Sequence, residues 1–214
     1  MALNTSSPHI IWFKNPLAIL ANNAEGGLVI EGQKIIELVP QGQKPNHAYS
    51  EVMKCSDLVI LPGLINGHHH FYQSLTRALP QALNKPLFGW LRSLYPVWAG
   101  LEPDMLYQAT RLALAELLLS GCTTAADHHY LFPEGLTEAM DIQAEAAASM
   151  GVRMTMTRGS MSLGTDDGGL PPQNTVQHED IILADSERVI KRYHNAAEGS
   201  MLQVALAPCS PFSV

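Results

Sequence analysis

The sequence predicts an α/β fold, a parallel sheet or barrel preceded by a small β module, and three observations carry that prediction. Short apolar pieces broken by turn residues occupy residues 9–60. Beyond them, a helix, a glycine and a strand recur in that order. Between the two regimes, Leu61-Pro62-Gly63-Leu64-Ile65-Asn66-Gly67-His68-His69-His70 ends an apolar run in a turn and three consecutive histidines.

In chain order, the apolar pieces 9–13, 28–30 and 34–39 are separated by Asn22-Asn23, Gly26-Gly27 and Gly32-Gln33, which are hairpin and loop signals. Residues 1–60 therefore read as the β module and 61–214 as the βα region. Val59-Ile60-Leu61 reads as buried strand, and residues 59–65 are taken as the first strand of the βα region, bent at Pro62-Gly63. Pro103 opens a helix with Met105, Ala109, Leu112 and Leu119 on one face; it stops at Gly121 and feeds a strand over 122–126. A second helix, about 134–150, ends at Gly151 and feeds 152–157; a third, about 184–198, ends at Gly199 and feeds 202–207. Four strand units joined by crossover helices indicate a parallel sheet or barrel. A complete (β/α)8 barrel takes about 250 residues, so residues 61–214 have room for about five units and the chain reads as cut in half.

The chain of 214 residues is 46% hydrophobic and 15% charged, which is enough apolar content to bury a core and too much for disorder. A net charge of −7 with no block of Lys and Arg argues against binding nucleic acid and leaves a small-molecule substrate as the better fit. Cys55, Cys122 and Cys209 are odd in number and form no C-x-x-C pair, which points to a reducing compartment rather than a disulfide framework or zinc ribbon. Residues 1–214 hold neither a secretory leader pattern nor an 18-residue apolar run, so the expectation is a soluble cytoplasmic protein with no membrane partner.

His68 and His70 lie two residues apart, and on an extended backbone such side chains point the same way. The pair makes half a metal site, since catalytic zinc usually takes three ligands from the protein. On these residues the chain resembles the amidohydrolase superfamily, whose signature Pro-Gly-Leu-Ile-Asp-x-His-x-His opens the first strand of a metal-bearing barrel. Asn66 stands where that family usually has Asp. The resemblance implies the amino-terminal half of a (β/α)8 TIM-type metal-dependent hydrolase barrel behind an incomplete β-sandwich module. Residues 207–214 resemble the loop after the fourth barrel strand in the guanine-deaminase and chlorohydrolase branch. Mononuclear members complete the site with histidines after strands five and six, an aspartate after strand eight and a proton-shuttling glutamate near the first of these. None of those segments is present, so no catalytic residue is expected within residues 1–214. The complete site is expected to hold one divalent metal, zinc or iron, whose bound hydroxide attacks a ring carbon and releases ammonia.

Within that branch, Gln73 sits three positions after His70, where guanine deaminases carry a substrate-recognising glutamine; its alternative reading is an exposed residue of a first helical turn. An amide donates and accepts in one plane, which suits a purine edge. The run His68 to Arg77, with Leu87-Phe88-Gly89-Trp90-Leu91 and Leu94-Tyr95-Pro96-Val97-Trp98, looks most like the 8-oxoguanine deaminase and hydroxydechloroatrazine ethylaminohydrolase group of the family. Guanine deaminases place an arginine before the phenylalanine matching Phe212; Pro211 stands here, which argues against plain guanine. His128 and His129, after Asp127 at the end of the second strand, are expected to line the substrate pocket, with plain hydrogen bonding as the alternative. Arg158, ending the third strand, is expected to meet a substrate oxygen or else to pair with a carboxylate.

Other patterns fail. Residues 159–164 have the glycine spacing of a phosphate loop, but Thr165 occupies the lysine position. Asp166-Asp167-Gly168-Gly169 reads as a turn, Met150, Met154, Met156 and Met161 as core filler, and Trp90, Tyr95 and Trp98 as a packed lid or interface segment. The expected function is a metal-dependent hydrolytic deaminase of an amino-substituted, purine-like heterocycle, homo-oligomeric at full length. Two alternatives stay open: a triazine amino- or chlorohydrolase, and a non-catalytic binding or assembly module.

Overall fold

Strand pairing sorts the chain into two compact units, one through Pro62 and the other Gly63–Val214; the computed structural model describes residues 9–214. In the first unit, β1 (Ile10–Lys14) pairs antiparallel with β3 (Gly27–Glu31) and parallel with β5 (Glu51–Lys54), and β3 pairs with β4 (Lys34–Val39). The sheet order is β4-β3-β1-β5. Trp12 lies opposite Val29 across the β1–β3 ladder, and with Val39 they form the core of this unit. Gly27 is required here: its φ is +111°, and a Cβ would sit 1.7 Å from the Phe13 carbonyl oxygen. A separate two-stranded ribbon joins β2 (Ala18–Ile19) to β6 (Val59–Ile60). Neither β2 nor β5 was legible in the sequence, because one is two residues long and the other is exposed throughout, without an alternating apolar face.

The continuous strand expected over 59–65 is a correction, since the structure breaks it in two. β6 pairs with β2, whereas β7 (Leu64–Asn66) pairs parallel with β8 (Cys122–His129). Pro62 lacks an N–H to carry a ladder across the gap. Gly63 lies against Thr123, whose Oγ1 a Cβ would meet at 2.1 Å.

The second unit is a parallel sheet in the order β10-β9-β8-β7, completed by β9 (Arg153–Ser160) and β10 (Leu202–Pro208). Four α-helices occur among the described residues: α1 (Leu87–Trp98), α2 (Pro103–Leu119), α3 (Ala139–Met150) and α4 (Glu179–Tyr193). Proline at the first position of α2 and left-handed Gly151 after α3 act as the sequence reading required. Two expected boundaries move. The second helix starts at Ala139 rather than about 134, because Gly135 takes a left-handed turn. The third runs Glu179–Tyr193 rather than about 184–198. His178 caps its first turn, acids and bases sit at the ends that favour them, and the chain leaves the helix at His194.

The core lies between the sheet and the helices, built on Leu94, Tyr95, Leu106, Leu114, Met154 and Met156. Alternation along the strands decides which residues join it. Ala125, Asp127 and His129 of β8, and Met154, Met156 and Arg158 of β9, are buried, whereas Thr124, Ala126, His128, Thr155 and Thr157 are half-buried in the opposite phase. Among the described residues no helix is long and apolar enough to cross a membrane.

Candidate metal centre

β7 ends at Asn66, Gly67 follows, and the chain then presents His68, His69 and His70 before a 3-10 helix over Phe71–Thr76. The Nε2 atoms of His68 and His70 face each other at 3.2 Å, with the rings nearly perpendicular. His70 Nδ1–H donates to the carbonyl of His128 at 2.7 Å, which leaves the Nε2 lone pair free and the ring orientation set. Burial holds the His70 imidazole down to about 4, so it is neutral at physiological pH, the form a metal needs.

Two further bonds lace this segment to the end of β8. The His128 N–H donates to the His69 carbonyl at 2.8 Å, and the Phe71 N–H donates to Asp127 Oδ1 at 2.7 Å. Asp127 is fully buried, and its other oxygen accepts from Gln143 of α3. Burial pushes the Asp127 carboxyl up to about 7, against the two hydrogen bonds it accepts. The sequence reading missed Gln143. Its signal is a lone amide at 143 in register with Ala139 and Ala147 on the buried face of an alanine-rich helix.

His128 lies beside the pair, its ring centroid 5.3 Å from that of His70 and 6.1 Å from that of His68. Its Nε2–H donates to the Ala207 carbonyl at 3.2 Å, linking β8 to the end of β10. Gln73 is half-buried and lines a cavity of about 280 Å3 with His69, His70, Arg77, Trp90 and Leu94.

His129 and Arg158 make the contacts of the alternative readings, plain hydrogen bonding for one and a carboxylate pair for the other, and both side chains are buried. His129 is buried among Tyr72 and Phe132, and its Nε2–H donates to the Leu131 carbonyl at 2.6 Å. Arg158 Nε donates to Asp185 at 3.0 Å, its Nη2 to Gln177 at 2.7 Å and its Nη1 to the Gly159 carbonyl at 2.6 Å, with the guanidinium 4.0 Å above the Phe132 ring. The cause is strand phase: His129 points with Ala125 and Asp127, and Arg158 with Met154 and Met156, into the helix layer.

Among the described residues no group of three or more His, Cys, Asp or Glu side chains is arranged to hold a metal ion. The chain thus supplies a two-nitrogen donor set, and facing Nε2 atoms with one ring locked as an acceptor fit a divalent cation. Residues 59–214 match the model of the amidohydrolase family, a span that includes both histidines and all four strands of the parallel sheet. The chain belongs to the amidohydrolase family.

Within that family the chain is 60% identical over 206 residues to an 8-oxoguanine deaminase of Pseudomonas aeruginosa, covering 95% of this chain and 46% of the relative. It is 38% identical over 164 residues to a hydroxydechloroatrazine ethylaminohydrolase of Pseudomonas sp. strain ADP, covering 75% of this chain and 34% of the relative. Among solved structures it resembles an atrazine chlorohydrolase from Arthrobacter aurescens TC1 complexed with zinc, with a TM-score of 0.83 at 28% identity over 95% of this chain and 47% of that one. The chain spans less than half the length of these amidohydrolase relatives.

Proposed function

We propose that the full-length protein is a divalent-metal-dependent deaminase of an amino-substituted, purine-like heterocycle of the 8-oxoguanine type. On this reading Gly63–Val214 contributes the first four βα units of a (β/α)8 barrel, and the protein works in the cytoplasm. The observation that carries it is the pair of Nε2 atoms 3.2 Å apart at the end of β7. Identity of 60% to an 8-oxoguanine deaminase supports the substrate class.

His68 and His70 hold the cation, zinc by preference and iron as the alternative, with the remaining ligands outside residues 1–214. When bound, the cation supplies the Lewis acidity that makes water nucleophilic near neutral pH. Burial keeps the His70 ring neutral, and the His128 carbonyl keeps it aimed. Gln73 reads the edge of the heterocycle with a coplanar donor and acceptor, and the His128 ring, beside the histidine pair, lines the substrate pocket. The leaving group is ammonia.

A second reading, a triazine amino- or chlorohydrolase, is favoured by the likeness to the atrazine chlorohydrolase, but at 28% rather than 60% identity. The test is release of ammonia from 8-oxoguanine, guanine and hydroxylated aminotriazines by zinc-loaded full-length protein. Turnover of 8-oxoguanine above the others is the expected result. No ammonia from any substrate removes the deaminase reading, and release of chloride or alkylamine from a triazine moves the protein to the second.

A further inference from the structure

We infer that Asp127, backed by Gln143, is a positioning residue that sets the geometry of His70 as a metal ligand through the main chain of Phe71; the inference rests on the metal reading above. The peptide joining His70 to Phe71 is held at both ends. Its N–H donates to Asp127 Oδ1 at 2.7 Å, and its carbonyl accepts from the Gln73 N–H at 3.0 Å. The His70 ring is in turn tied by Nδ1–H to the carbonyl of His128, the residue next to Asp127. Backbone and ring of one ligand are therefore indexed to two adjacent residues of β8, one through a side chain and one through a carbonyl.

The cost of this arrangement argues that it serves more than packing. Asp127 is fully buried, and the hydrogen bonds it accepts come from neutral donors, a backbone N–H and the Gln143 amide. A carboxylate held this way in an apolar layer is costly, and a well-packed apolar side chain fills the same space more cheaply. Gln143 adds to the cost, because its Oε1 is buried without a partner while its nitrogen faces Asp127. What the pair achieves is a rigid link between α3, the end of β8 and the first residue after His70. Asp127 is not a catalytic residue: its side chain lies in the phase of Ala125 and His129, opposite to that of His128.

The geometry also says which substitution preserves the link. In Asp127→Asn, Oδ1 still accepts from the Phe71 N–H, and a flipped Gln143 offers its orphaned Oε1 to the new amide. In Asp127→Ala, the Phe71 N–H and the Gln143 amide both lose their acceptor. Loss of such an outer support weakens metal binding by about 10–100-fold.

The experiment uses the full-length protein and three readouts: zinc affinity by chelator competition, the visible spectrum of the cobalt(II)-substituted form, and the melting temperature of the metal-free form. Asp127→Ala is expected to bind zinc about 10–100-fold more weakly with an altered cobalt spectrum, whereas Asp127→Asn stays close to wild type in both. A lower melting temperature for Asp127→Ala with unchanged zinc affinity and cobalt spectrum overturns the inference, as does Asp127→Asn weakened as much as Asp127→Ala. Gln143→Leu keeps the decision available where Asp127→Ala does not fold: several-fold weaker zinc binding and a shifted cobalt spectrum support the link, and wild-type values for both overturn it. Failure of the metal reading looks different, because wild type itself then binds neither zinc nor cobalt and matches His70→Ala.

Discussion

On the helix-facing side of the parallel sheet, Ala125, Asp127, His129, Met154, Met156 and Arg158 are all buried, and the three polar members are engaged by hydrogen bonds from or to the surrounding layer. On the other side, Thr124, Ala126, His128 and Thr157 are half-buried, while Ile65 is 76% exposed. Both faces carry histidine near the same strand end. One ring, His129, is enclosed among aromatic side chains; the other, His128, stands beside the His68–His70 pair. The difference teaches that an ionisable residue at the end of a parallel strand stands beside the histidine pair in one of two phases, and in the other phase it joins the packing.

The sharpest break of this comparison is at the proposed ligands, His68 and His70. His68→Ala or His70→Ala in the full-length protein is expected to lower zinc affinity by more than the ~100-fold ceiling for outer-shell changes, with little change in the stability of the metal-free form at exposed His68. Equilibrium dialysis and thermal melts check both halves. Next comes Arg158→Ala, which removes a side chain 1% exposed and takes the donors from Asp185 Oδ2, Gln177 Oε1 and the Gly159 carbonyl, while Asp185 Oδ1 keeps Arg188. Each buried acceptor left without its donor costs about 1–3 kcal/mol. Denaturant unfolding should show that loss, with KM of the folded full-length protein for the proposed substrate unchanged; a raised KM at unaltered stability would return Arg158 to the substrate pocket.

Gly159→Ala is smaller. Its Cβ would meet Tyr130 Cβ at 2.6 Å and the His129 carbonyl at 2.7 Å, so the backbone must shift, at about 1–3 kcal/mol. A stability loss measured by urea titration tests how tightly β8 and β9 abut. The smallest effect lies off both faces, in the first unit. Hydrogen bonds from the Asn46 and His47 N–H groups, with help from both side chains, hold Glu37 down to about 2. The ordinary value in an unfolded chain is about 4.3, so this stabilisation is complete above that pH and is lost as pH falls through about 2. Glu37→Gln should flatten that part of the acid dependence of stability. Parallel acid profiles for variant and wild type would show that the carboxylate contributes nothing.

Legibility in the sequence followed the strength of local signals. The 34–39 piece is β4 to the residue, and the helix opened by Pro103 runs to Leu119. The break at Pro62-Gly63 was read as a bend, because nothing local shows that β6 finds its partner in β2 and β7 in β8. α1 was not read as a helix, since Pro96 lies inside it. At the site, Asp127, His128 and His129 were legible as a group at a strand end, but their division between two faces was not. Alternation states that 127 and 129 agree and 128 differs; it does not say which phase the helices cover.

The amino-acid order alone determined the H-x-H pair, the alternation of helix and strand and the family, because each depends on neighbours within a few residues. Tertiary structure alone decided that His70 is locked by the His128 carbonyl, that Asp127 reaches Phe71, and that Arg158 belongs to Asp185. Those contacts join residues 58, 56 and 27 positions apart, and only the packing of helices onto one side of the sheet selects them.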